Sequence, residues 1–172
     1  SEIRGTLYDR RGRVLGRADS LLMPGFAPFE QRWLNRDQIS KKIGAKWDGE
    51  AMLEVTALDS LKLLNLNYIV DEETFFNFSC VEDDTSGKIY LQTNSTSANE
   101  SLSHIVNTSS EKQAFTGTLF GGDGKKRGNA NQPLHTGFLP PKARLILSAQ
   151  DLEDIFDASP WRGPALIEIQ GT

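Results

Sequence analysis

The chain writes one pattern twice, as "WDGEAMLEV" at 47–55 and as "WRGPALIEI" at 161–169. Each copy reads Trp-x-Gly-x-Ala, then two apolar residues, Glu and a β-branched residue. The segments ahead of the two copies match as well. "RWLNRDQISKKIG" supplies an N-cap in Asn35, an inward pair in Ile39 and Ile43 one turn apart, and a stop at Gly44. "RLILSAQDLEDIF" supplies an N-cap in Ser148 and two acids, Asp151 and Glu153, that suit the positive start of a helix. Leu152 and Phe156 form its inward stripe and Pro160 ends it. The offset is 113 residues at Leu34/Leu147, and one inserted residue brings Trp47 to Trp161. Each unit therefore reads as strand, helix of about two turns, Trp-x-Gly corner, strand. Two such units predict a barrel with approximate two-fold symmetry, because a short helix over each mouth buries what closure of the sheet leaves open.

The remaining sequence is dominated by period-two runs. "IRGTLYD", "AMLEVTAL", "LLNLNYIV", "TFFNFSC", "AFTGTLF" and "ALIEIQ" alternate as half-buried strands do, and "KIYLQT" follows the turn "EDDTSG" as the hairpin partner of "TFFNFSC". Two loops interrupt this inventory. "TNSTSANES" is polar and reads as solvated, and "GGDGKKRGNANQP" at 121–133 has nothing apolar before its proline except one alanine, so it is expected to project from the body. The prediction is a mainly β fold: a closed or nearly closed pseudobarrel of seven to eight strands, with capping helices at about 36–44 and 149–157. A length of 172 residues suits one domain spanning 1–172. A chain that opens on Ser rather than Met reads as a fragment of a larger protein.

Charge is segregated along the chain. Residues 1–47 hold ten Lys/Arg against five Asp/Glu, residues 48–110 hold two against eleven, and the remainder is balanced at seven each. One part of the surface is thus expected to be basic although the whole chain carries −4. The acidic middle, with Asp71, Glu72, Glu73, Glu82, Asp83 and Asp84, would face away from a polyanion. No apolar run approaches the roughly twenty residues of a bilayer span, so no membrane partner is expected. The single cysteine, Cys80, has no internal disulfide partner, and the reading is cytoplasmic and nucleoid-associated.

Taken together, the two strand–helix–strand segments "RWLNRDQISKKIG" and "RLILSAQDLEDIF", one near each end of a seven-stranded pattern, resemble a known group. They are similar to the DNA-recognition pseudobarrel of the plant "B-three" transcription-factor domains and, in size, to the effector or target-recognition domains of type II restriction endonucleases. The resemblance implies a non-catalytic, sequence-specific domain for double-stranded DNA, whose partner catalytic domain lies elsewhere in the parent chain. It also implies two arms that grip the major groove. The candidate arms are "DRRGRVLGRADS" and "GGDGKKRGNANQPLHTG". The first offers Arg10, Arg11, Arg13 and Arg17; the second offers Lys125, Lys126, Arg127, Asn129, Asn131, Gln132 and His135. These residue types suit base readout, since Arg and Lys pair with guanine edges, and Asn and Gln with adenine, in a groove about 12 Å wide.

Enzymatic motifs are weak. "DDTSG" at 83–87 lacks the glycine that an aspartic-protease loop needs directly after the hydroxyl residue, and "GGDGKK" lacks the first glycine and the terminal Ser/Thr of a phosphate loop. His104, His135 and Cys80 form no nucleophile–base or zinc spacing, so no catalytic residue, metal or cofactor is expected. The rival expectation is an extracellular or viral β-rich module binding carbohydrate or protein. It rests on the N-x-S/T triplets at Asn77, Asn94, Asn99 and Asn107 and on the Asn-bearing "LNLNY".

Overall fold

The computed structural model describes residues 2–25, 27, 30–57, 65–69, 74–78, 87–96 and 101–171, with backbone pairing alone for 65–69 and 74–78. The fold is mainly β, with eleven strands and two helices among these residues. The first part of the chain forms β1 (Ile3–Tyr8), β2 (Val14–Met23), α1 (Arg36–Ile43) and β3 (Met52–Ala57). The last part forms β8 (Phe115–Gly121), β9 (Lys126–Pro133), β10 (Arg144–Ser148), α2 (Ala149–Phe156) and β11 (Ala165–Gly171). Between them lie β4 (Asn65–Ile69), β5 (Thr74–Phe78), β6 (Lys88–Thr93) and β7 (Leu102–Val106). All ladders are antiparallel, in sheets of order β2-β1-β3, β10-β7, β6-β11-β8-β9 and β4-β5. Among the described residues no ladder joins these four sheets into one closed ring.

The internal repeat reaches much further than the Trp-x-Gly corners. At a constant offset of 112 residues, Gly5, Thr6, Leu7, Gly12, Gly16, Ala18, Leu22 and Gly25 recur as Gly117, Thr118, Leu119, Gly124, Gly128, Ala130, Leu134 and Gly137. The structure gives several of these pairs one job. Leu7 faces Leu15 and Leu53 across its two ladders, as Leu119 faces Arg127 and Ile167. Both hairpins slip register at the same place, between Gly5 and Leu7 and between Gly117 and Leu119. At that bulge Asp19 and Asn131 take left-handed φ values of 46° and 54°, and their amides donate to the hydroxyls of Thr6 (2.9 Å) and Thr118 (3.0 Å). Gly5 and Gly117 have no room for a Cβ, which would meet the side chains of the buried Leu22 and Leu134 at 2.6 and 2.8 Å. Only a duplicated ββαβ unit accounts for such agreement in register, bulge and turn.

Thr118→Val is expected to cost about 1–2 kcal/mol, because it strands a partly buried backbone amide, and Thr6→Val about 0.5–1 kcal/mol, because the exposed Asp19 amide can bond to water. Urea denaturation of the two single variants checks this; a neutral result at one site would mean that its bulge is held by other contacts.

Both helices start as the sequence predicts. Asn35 and Ser148 accept from the amides of Gln38 and Asp151, whose side chains return the bond as capping boxes. The C-caps are left-handed, Gly44 at φ 71° and Asp157 at φ 49°. Ile43, Leu152 and Phe156 are fully buried. Each copy has its own apolar cluster: Ile3, Leu7, Leu22 and Ile43 with Trp47 against them, and the larger set around Leu119, Leu134, Leu152, Phe156, Trp161 and Ile167. The two copies are tied by Lys142–Glu54 (2.5 Å), by Arg144–Glu50 (2.8 Å) and by the Arg144 amide on the Arg10 carbonyl (3.0 Å).

Three expectations need correction. The segment 126–133 does not project as a loop but forms β9, an edge strand on β8. A strand needs a partner ladder more than it needs apolar side chains, and an edge leaves polar ones in water. "KIYLQT" is not the hairpin partner of "TFFNFSC": β5 pairs with β4, and β6 pairs with β11. Residues 31–35 ahead of α1 form no strand, whereas their counterpart β10 pairs with β7. Cys80 and the acidic positions 71–73 and 82–84 lie outside the described residues.

Candidate nucleic-acid interface

The two candidate arms are equivalent elements of the duplicated unit, namely the β1–β2 and β8–β9 hairpins. Their turns close by the same bonds. Asp9 N–H donates to the Arg13 carbonyl (2.9 Å) and Gly12 N–H to the Asp9 carbonyl (3.0 Å); Gly121 to Lys125 (2.8 Å) and Gly124 to Gly121 (2.9 Å) repeat the pair. Their surroundings differ. At Gly12 a Cβ would overlap the Pro141 carbonyl, so the first tip is sewn to the start of β10, while at Gly124 nothing described stands within 4 Å.

On the first hairpin Arg10, Arg11 and Arg13 are exposed. Arg13 holds Asp9 through both its guanidinium (2.7 Å) and its amide (2.9 Å), and Arg11 adds its amide (2.9 Å). Burial pushes the Asp9 carboxyl up, but these three donors outweigh it and hold the group below the ordinary carboxylate range. Arg17 is committed to α1: its Nη2 donates to the Lys42 carbonyl (3.2 Å) and its guanidinium covers Gly44.

On the second hairpin Lys125, Lys126 and Asn129 are exposed, and their side chains hold no fixed hydrogen-bond partner among the described residues. Arg127 folds back over Gly121, where an added Cβ would meet its Nε at 2.5 Å. Asn131 serves the bulge, Gln132 donates to the Ala130 carbonyl (2.9 Å), and both ring nitrogens of His135 are shielded from solvent. The eleven sequence candidates thus divide. Eight are exposed, of which Arg17 and Asn131 also bond to the fold and Arg10, Arg11, Arg13, Lys125, Lys126 and Asn129 do so less or not at all, while Arg127, Gln132 and His135 are half-buried.

The sequence reading missed a second cationic surface, beside α1. Arg36, Lys41 and Lys46 line an open groove with Asp37, Ser40 and Trp47, and a neighbouring hollow is lined by Arg4, Arg17 and Lys42 together with Asp19. The Arg36 guanidinium sits 5.5 Å from the Trp47 ring centroid and donates to the Trp47 carbonyl. Trp33, three residues ahead of Arg36, is 73% exposed. A position-by-position comparison of the two helices would have found this surface. Residues 36–46 hold four cations and one acid; the equivalent 149–159 hold four acids and no cation.

Other polar constellations are architectural. Glu54 accepts from Lys142 (2.5 Å) and Tyr8 (2.9 Å), and its counterpart Glu168 accepts from Tyr90 (2.8 Å) and Lys88 (3.1 Å). The lysine at Glu54 and the tyrosine hydroxyl at Glu168 are the main causes that hold both carboxyls below their ordinary range. Only the two glutamates are equivalent in the repeat; their Tyr and Lys partners come from different elements, and each set ties neighbouring strands together. His104 lies within β7, and burial, then the charge of Arg144, pushes its pKa down. No group of three or more metal-ligating side chains occurs among the described residues. No helix among them is long and apolar enough to cross a membrane.

Asn107, one of the N-x-S/T asparagines, is 1% exposed and donates its amide nitrogen to the carbonyls of Glu111 (2.7 Å) and Leu139 (2.9 Å). A glycan on that nitrogen is incompatible with this fold. Asn77 carries no described side chain and Asn99 lies outside the described residues. Comparison with family models, with curated proteins and with solved structures finds no match to this chain.

Proposed function

We propose that this domain binds double-stranded DNA in a sequence-specific way, reading the major groove with the β1–β2 and β8–β9 hairpins. One observation carries the reading. In two hairpins with a common frame, the residues that set the bulge and the core recur (Gly5, Thr6, Leu7 and Leu22 as Gly117, Thr118, Leu119 and Leu134), while the exposed tips carry long hydrogen-bond donors in different assortments. The first hairpin offers arginines, which suit guanine O6 and N7. The second offers Lys125, Lys126 and Asn129, and an asparagine suits adenine N6 and N7. A two-stranded ribbon is one of the elements that fit the groove. In this reading the four sheets wrap toward a pseudobarrel whose mouths α1 and α2 cover. The domain itself is non-catalytic and serves as the recognition part of a larger cytoplasmic nuclease or regulator.

Selection from a random duplex pool at 50 mM salt tests this. The expected result is enrichment of one short sequence, with affinity falling steeply as salt rises because each neutralised phosphate releases counterions. Arg11→Ala is expected to cost about 1–3 kcal/mol and to relax preference at one base pair, whereas Lys125→Ala weakens all sequences alike. A pool that emerges unenriched at low salt ends the proposal.

A further inference from the structure

Duplication provides an internal control. Where the two copies agree, the residue serves the frame; where they differ at exposed positions, the frame does not require either choice. The sharpest difference falls on the helices. Lys41 stands where α2 has Asp154, Lys46 where it has Ser159, and Arg36 where it has Ala149, while Gly44 faces Asp157. Inward positions are unaffected, with Ile39 and Ile43 matched by Leu152 and Phe156. Four cations on and just beyond a two-turn helix repel one another, and the frame does without them in the second copy, which has Ala149, Asp154, Ile155 and Ser159 at those positions. Their accumulation on one copy alone calls for an external polyanion.

We infer that the α1 groove, lined by Arg36, Ser40, Lys41 and Lys46 beside Trp47, is a clamp for the phosphodiester backbone of the same duplex, and that binding is confined to the first copy's helix. This rests on the DNA reading proposed above. The scale fits: an eight-residue helix is about 12 Å long, which matches the axial rise of three to four base pairs of B-DNA at about 3.4 Å each and leaves room for about two neighbouring phosphates of one strand. The groove is continuous with the first hairpin, because Arg17 of β2 reaches the Lys42 carbonyl and covers Gly44. Arg13 lies just ahead of β2, four residues before Arg17 and so at most about 13 Å from it at about 3.3 Å per residue. A duplex lying along β2 thus meets the hairpin arginines and the helix lysines together. The α1 face is not a membrane surface of the amphipathic kind, since its apolar residues Ile39 and Ile43 are turned into the core. On α2, Asp151, Asp154 and Asp157 are exposed acids that would repel a second backbone.

The test is the salt dependence of duplex binding by fluorescence anisotropy, with a 20-base-pair duplex, for the wild-type protein, Lys41→Ala/Lys46→Ala and Asp154→Lys. Both lysines are exposed, so the double variant should keep its melting curve. The expected result is a slope of log affinity against log salt reduced by about 2 in the double variant, at about 0.9 per lost phosphate contact, with no change in Asp154→Lys. A double variant with the wild-type slope overturns the clamp while leaving the DNA reading intact. A slope that rises by about 1 in Asp154→Lys overturns the confinement to one copy. Wild-type protein that binds no duplex at 50 mM salt sinks the underlying reading, and the clamp with it. Retention on phosphatidylserine vesicles that the double variant loses, with its duplex slope unchanged, would assign the groove to lipid headgroups and overturn the inference.

Discussion

Replacing Gly128 by Ala is expected to lower the melting temperature by about 5–15 °C, against about 2–6 °C for Gly124→Ala only four residues away. Both glycines sit at left-handed φ, 63° and 74°, so both substitutions incur the same backbone penalty of about 1–2 kcal/mol. Only Gly128 is also crowded. A Cβ there would overlap the carbonyl oxygen of Phe156, the last residue of α2, while Gly124 has nothing described within 4 Å. A backbone carbonyl at a helix end cannot swing aside as a side-chain tip can, so the helix or the strand must shift, which adds about 1–3 kcal/mol. The same argument applies to Gly16, whose Cβ would lie 2.5 Å from the Ile43 carbonyl at the end of α1, so Gly16→Ala should behave like Gly128→Ala. Thermal melts of the three single variants measure this. Equal losses at Gly124 and Gly128 would show that strand β9 does not press on α2 as described.

The second large effect concerns Glu153, a residue only 5% exposed. It accepts from the Ser95 hydroxyl (2.5 Å), the Thr96 amide (3.0 Å) and the Thr96 hydroxyl (2.9 Å), and Ser95 accepts in turn from the Trp161 amide (3.0 Å). This hub fastens the segment after β6 to α2 and to the second Trp-x-Gly corner. Glu153→Ala orphans two or three buried donors at about 1–3 kcal/mol each, so a loss of about 3–5 kcal/mol is expected. Glu153→Gln keeps the shape but loses the charge-assisted bonds, for about 1.5–3 kcal/mol. The Ser95 hydrogen bond, joined by those from Thr96 and opposed by burial, holds the Glu153 carboxyl below its ordinary range. A carboxyl depressed in the folded state stabilises above its unfolded pKa, near about 4.3, and that stabilisation is lost as pH falls through the folded value. The urea midpoint of wild type should therefore exceed that of Glu153→Gln at pH 7, with the gap closing below about pH 4. A gap that stays constant down to pH 3 would mean that ionisation of Glu153 is not what stabilises the hub.

The legible part of the site was its chemistry, and the illegible part was its placement. Arg10, Arg11, Lys125 and Lys126 could be singled out because runs of cations beside glycines mark exposed turns. Nothing local in the sequence says that Arg17 caps α1, that Arg127 folds over Gly121, or that His135 is shielded, because each of these depends on a residue far along the chain or on the ladder that holds it. The α1 groove was hidden for a different reason. Its cations are visible in the charge of residues 1–47, but nothing local in the sequence sets them apart from an ordinary helix surface without the acidic counterpart in the second copy as a reference.

By itself the sequence determined the two helices with their caps, because Asn35, Gly44 and Ser148 act on amides and carbonyls within three or four residues of themselves. It also determined the existence of a repeat through its tryptophan corners. The identities at an offset of 112 residues carry the repeat's length, but tertiary structure alone decided that it folds as a ββαβ unit with 126–133 as a strand, and that β6 pairs with β11 rather than with β5. Strand pairing is a choice among distant partners of similar alternation, and hydrogen-bonded ladders, bulges and close glycine contacts settle it only once the chain has come together in space.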